Sequence, residues 1–121
     1  MDRGAFEALV AKAVANLPEE FLARLDNVDV VVSDVPTRRQ LRKARITSGT
    51  LLGLYEGVPQ TQRGVHYGLV PPDKITIFQM TIEGKFKNER DIYTEIERVL
   101  RHEIAHHFGI SDERLREMGR Q

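Results

Sequence analysis

The sequence predicts an α+β domain in which helices pack on one face of a small sheet of about three to four strands. Three observations carry that expectation. An amphipathic stripe opens the chain, three short β-branched stretches occupy its middle, and a long helical pattern with clear start and stop signals closes it.

The elements follow in order. Phe6, Leu9, Val10, Ala13, Val14 and Leu17 recur at steps of three and four, so residues 3 to 16 form a helix with one buried stripe. Pro18 stops it and opens a second, short helix over 18 to 25, with Phe21, Leu22 and Leu25 as its apolar residues. "NVDVVVSDVP" is read as a strand at 28 to 34. Residues 36 to 49, with five basic residues and little apolar periodicity, are read as a loop. "TLLGLYEG" (50 to 57) and "DKITIFQMTIEG" (73 to 84) are read as strands on either side of a Gly- and Pro-rich connection. Asn88 then caps the last long helix, with Asp91 three residues on. Ile92, Ile96, Val99, Leu100 and Ile104 give it a buried stripe, and Gly109 ends it.

Composition narrows the function. The 121 residues suit a single domain spanning 1 to 121. Eighteen basic residues balance eighteen acidic ones, so no net field points to nucleic acid or a membrane surface. Without cysteine there are no disulfides, thiolate metal sites or cysteine nucleophiles, and any metal must be held by His, Asp or Glu. The N-terminal stretch lacks the apolar core of a signal peptide, and no segment reaches the roughly 18 apolar residues of a membrane helix, so a cytoplasmic protein is expected.

The chemistry concentrates in "LRHEIAHHFGISDERL", residues 100 to 115. At ~100° per residue, His102 and His106 lie ~40° apart and one turn removed, so both imidazoles can reach one ion. Glu103 lies ~60° from His106, where its carboxylate can reach a water on that ion. This is the H-E-x-x-H arrangement, with two zinc-binding histidines and a glutamate general base. A catalytic zinc normally takes three protein ligands. Gly109 permits a left-handed turn that folds the chain back, and Asp112, three positions later, is the candidate third ligand, completing H-E-x-x-H-x-x-G-x-x-D. Asp112 also stands where an acid favours the start of the helix "DERLREM" through its dipole. His107 lies ~100° from His106 on the core side, suited to packing or to orienting a neighbouring carboxylate rather than to the same ion.

On this motif, together with "LLGLYEGVP" and "DKITIFQ", the sequence resembles the zincin metallopeptidases, in particular a family of small bacterial zincin-like proteins of the metzincin-like type. The likeness covers roughly residues 50 to 115. It implies a minimal zincin-like fold whose C-terminal helix binds the metal, a Zn2+ cofactor, and peptide-bond hydrolysis. Metzincins also carry a methionine turn beneath the metal; here nine residues follow Asp112 and Met118 is the only methionine among them.

The expected activity is that of a zinc-dependent metallopeptidase acting on an extended peptide, with Glu103 as base. Tyr55, His66 and Tyr67 are candidate oxyanion partners, and the substrate is expected along "LLGLYEG" or "KITIFQM", whichever is the sheet edge. Two alternatives are a zinc-binding interaction module without catalysis, and a metal-dependent endoribonuclease gripping phosphate with Arg38, Arg39, Arg42, Lys43 and Arg45.

Overall fold

A computed structural model describes residues 1–45, 50–57 and 71–119, with the side chains of Asp112 and Met118 outside what is described. Helix α1 (Arg3–Ala15) begins at Asp2, whose carboxylate accepts from the Ala5 N–H at 2.7 Å, and it buries Phe6, Leu9, Val10 and Ala13. After Pro18 comes α2 (Glu19–Leu22), continued by a 3₁₀ turn (Ala23–Leu25). Strand β1 spans Val28–Ser33.

Residues 36 to 49, read above as loop, contain a helix, α3 (Arg38–Lys43). Its cause is a capping box. Thr37 Oγ1 accepts from the Gln40 N–H (3.1 Å) while Gln40 Oε1 accepts from the Thr37 N–H (2.9 Å), so two otherwise orphaned donors are satisfied. Strand β2 (Gly53–Glu56) and strand β3 (Asp73–Phe78) follow.

The strand expected to run to residue 84 stops at Phe78, where the chain turns into helix α4 (Gln79–Lys85). The alternation of Ile75 and Ile77 ends there. Phe78, Ile82 and Phe86 stand four apart, a helical stripe that places Phe78 and Ile82 in fully buried positions and Phe86 against the core. Helix α5 (Glu89–Phe108) and helix α6 (Asp112–Gly119) complete the described chain.

The three strands form one mixed sheet in the order β1-β3-β2, with β3 parallel to β1 and antiparallel to β2. Ile75 and Ile77 of β3 point to the face covered by α1 and α5, where they join Phe6, Val10, Phe21, Ile96, Leu100 and Ile104 in one core. The register sets Gly53 opposite Ile77 and Tyr55 opposite Ile75, so these two residues of β2 share the core face. Leu54 and Glu56 point to the other face, where Gln40 and Lys43 of α3 hold the Glu56 carboxylate at 3.0 and 3.2 Å. Among the described residues no helix is long and apolar enough to cross a membrane.

Candidate metal centre

Helix α5 is fixed at both ends, and that fixes the site. Asn88 Oδ1 accepts from the Asp91 N–H at 2.8 Å, and the Asp91 carboxylate accepts in return from the Asn88 side-chain amide at 2.9 Å. At the other end Gly109 takes φ +70°, and the Ile110 N–H reaches back to the Ala105 carbonyl at 2.9 Å, the six-to-one bond of a Schellman turn. Ser111 then caps α6 by accepting from the Arg114 N–H at 3.1 Å, which makes Asp112 the first residue of that helix. Arg114 bridges to Glu20 at 2.8 Å, and Leu115 packs on the core, so α6 is folded back rather than extended.

His102 and His106 project from the same side of α5, their ring centroids 6.3 Å apart at 72°. His102 Nδ1 lies 3.1 Å from the Arg98 carbonyl. A carbonyl only accepts, so this contact is a hydrogen bond when Nδ1 carries the proton, the tautomer whose Nε2 can ligate a metal. Two imidazoles on one tetrahedral ion, with Zn–N near 2.1 Å, bring their centroids to about 5 Å. The present rings would close by about an ångström, a movement that rotation of the exposed His106 side chain supplies. The two imidazoles are thus placed to share one tetrahedral ion.

Glu103 points to the strand side. Its Oε1 accepts from the Tyr55 N–H of β2 at 2.9 Å. That donor faces away from β3, because backbone groups of an edge strand alternate: Leu52 O bonds inward to the Phe78 N–H (3.0 Å), Leu54 is paired with Thr76, and Gly53 and Tyr55 turn outward. Burial pushes the Glu103 carboxyl above the usual range for a glutamate, against the opposing pull of the Tyr55 N–H and of His106.

His102, Glu103 and His106 line one cleft of about 280 Å³, walled by Thr50 to Gly53 on one side and by Lys85, Arg98 and Val99 on the other. Gly53 sets its width. A Cβ there would run into Val99 Cγ1, so only glycine lets β2 approach α5 this closely. A larger hollow of about 520 Å³ lies between α1 and β1, but it is lined by valines with only Glu7 and Asp29 charged, and has no converging ligating groups.

Among the described residues no three ligating side chains converge, and Asp112, the expected third ligand, has its side chain outside the described set. His66 and Tyr67 also lie outside the described residues. Tyr55 stands beside the site through its backbone; its hydroxyl donates to Asp73 Oδ2 at 2.8 Å, so the oxyanion role considered for it gives way to a structural bond. His107 is exposed and stacks on the Tyr55 ring at 3.8 Å, with Nε2 4.0 Å from Asp73 Oδ2. Of the basic residues read as a phosphate grip, Arg38, Arg39, Arg42 and Lys43 lie on α3, and Lys43 is paired with Glu56. Sequence reasoning missed Asp73 and the Tyr55 N–H, for an acid at a strand start and a backbone donor carry no motif.

Residues 25–120 match a family model described as zincin-like metallopeptidase. A solved structure, a conserved hypothetical protein from Thermo thermophilus, shares the fold with a TM-score of 0.58 at 21% identity, over 89% of this chain and 94% of that one. No curated protein matches the chain.

Proposed function

The chain belongs to the zincin-like metallopeptidase family, and from that premise we propose that it is a zinc-dependent peptidase, with His102, His106 and Asp112 as zinc ligands and Glu103 as general base. Zinc, when bound, supplies Lewis-acid polarisation of a peptide carbonyl and acidifies water to a pKa of about 7. The observation that carries the reading is the placement of Glu103: flanked by two histidines one turn apart, yet with its carboxylate anchored on the edge strand.

Each protein group has a definable task. The Tyr55 N–H holds Oε1 of Glu103, leaving Oε2 to take a proton from the attacking water. The water oxygen adds to the carbonyl carbon, the C–N bond breaks, and the same proton passes to the leaving amine. Burial raises the proton affinity of the carboxyl, which favours the first of these transfers, from water to Glu103. The Arg98 carbonyl fixes the His102 ring by accepting from Nδ1. Of the two edge strands, β1 and β2, it is β2 that borders the cleft of His102, Glu103 and His106, so an extended peptide would pair there with the outward groups of Gly53 and the Tyr55 carbonyl.

Metal analysis together with peptide cleavage tests this. The chain equilibrated with zinc should hold one ion, and His102→Ala, His106→Ala and Asp112→Ala should each lower that occupancy. Cleavage of a mixed peptide library should stop on chelation and return with zinc. Undiminished cleavage under chelation, or full occupancy in all three variants, refutes the proposal.

A further inference from the structure

Tyr55 reaches Glu103 through its backbone, while its side chain is tied down away from the cleft. The hydroxyl donates to Asp73 Oδ2 at 2.8 Å, the ring lies on His107 at 3.8 Å and 16°, and Phe108 meets it edge-on at 6.0 Å. Asp73, only 9% exposed, opens the central strand; Tyr55 belongs to the edge strand; His107 is in the last turn of the helix that carries His102 and His106. Three elements meet at one aromatic ring.

We propose that Tyr55 is the positioning residue for Glu103, with Asp73 and His107 as the anchors that keep its backbone N–H in place; this rests on the peptidase reading above. The need for anchors follows from the strand itself. β2 is four residues long and, among the described residues, is hydrogen-bonded to a strand on one side only. Backbone donors of so short an edge move easily. A general base has to be held to within about 0.5 Å to act at full efficiency. Register explains how the anchor reaches: Tyr55 faces Ile75, and Asp73 is the next residue on the same face of β3, a diagonal a tyrosine side chain can span. The stack on His107 joins the same strand to the helical turn bearing His106. One side chain thus ties the strand whose N–H holds the base to the helix that carries the base and the histidines.

The test uses Tyr55→Phe, which keeps the ring and the stack but removes the hydroxyl, and Asp73→Asn, which keeps an acceptor for it. In the 15N-labelled chain, with and without zinc, the amide at position 55 should be shifted downfield and protected from exchange, as expected for a donor to a carboxylate. Tyr55→Phe should lose about tenfold in that protection. Its kcat per zinc-loaded, folded chain should fall about tenfold, with KM and zinc affinity within about twofold, because only the orientation of the base has been loosened. Asp73→Asn should retain both properties, and Asp73→Ala should reproduce Tyr55→Phe. Wild-type amide protection and kcat in Tyr55→Phe or in Asp73→Ala would overturn the proposal. If the amide responds as expected while even the parent chain cleaves nothing, the anchoring stands and the peptidase reading falls.

Discussion

Gly53→Ala places one methyl group where β2 and α5 come closest. The new Cβ would collide with Val99 Cγ1 and lie 3.2 Å from the Thr76 carbonyl oxygen and 3.4 Å from Ile77 Cδ1. None of these yields cheaply. Val99 is buried on a helix, where a β-branched side chain has essentially one rotamer, and the Thr76 carbonyl is backbone of the central strand. Overpacking of this kind costs about 1–3 kcal/mol. Replacing glycine also restricts the unfolded chain, which returns about 0.4–1 kcal/mol. The net expectation is a loss of about 1–2 kcal/mol, equivalent to a fall in Tm of about 4–8 °C for a domain of this size. Thermal and urea unfolding of the zinc-free chain measure it. The cause is tested by adding Val99→Ala, which removes the colliding methyl: the double variant should be at least about 1 kcal/mol more stable than the sum of the two single effects. Strict additivity, or a Gly53→Ala chain as stable as its parent, would show that the strand is not held against the helix by this contact.

Glu103→Gln should stabilise the zinc-free chain at neutral pH. Burial raises the carboxyl pKa above its usual 4.5, so the native state disfavours the charged form: the favourable contribution of the protonated acid is complete below about that pH and is lost as pH rises through the higher folded value. The variant's advantage should therefore appear above pH 4.5, grow toward neutrality and vanish in acid; a gap independent of pH from 4 to 8 contradicts it. Gly109→Ala must adopt φ near +70°, at a cost of about 1–2 kcal/mol for an alanine, and should also weaken zinc binding because the turn leads directly into Asp112. Gly109→Asn should lose less, and an alanine variant with parental urea midpoint and zinc affinity would refute the role given to the turn.

Much of this was readable from residue order because the relevant signals are local. The cap at Asn88, the stripe from Ile92 to Ile104 and the glycine stop at 109 are all contained within α5, and the helix formed with those bounds. The two misread segments failed for identifiable reasons. Thr37 and Gln40 form a capping box three residues apart, a signal hidden by the surrounding arginines. Phe78, Ile82 and Phe86 carry a helical period superimposed on a strand-like alternation, and burial of that stripe decided between them. The candidate site divides in the same way. His102, Glu103 and His106 follow from spacing on one helix, since 3.6 residues per turn brings them to one side. Tyr55 and Asp73 do not, because they meet across strands whose register depends on the whole sheet. Gly53 reads in the sequence as an ordinary strand glycine, and only its approach to Val99 shows why no side chain fits there.

In the proposed mechanism Glu103 transfers the proton while His102, His106 and Asp112 hold the metal. Its most direct test is Glu103→Gln, a substitution that keeps an acceptor for the Tyr55 N–H and leaves the ligands untouched. Zinc should bind as in the parent and peptide cleavage should fall by about 100-fold or more, the loss expected for removing a general base. Full zinc occupancy with cleavage at the parental rate would contradict it.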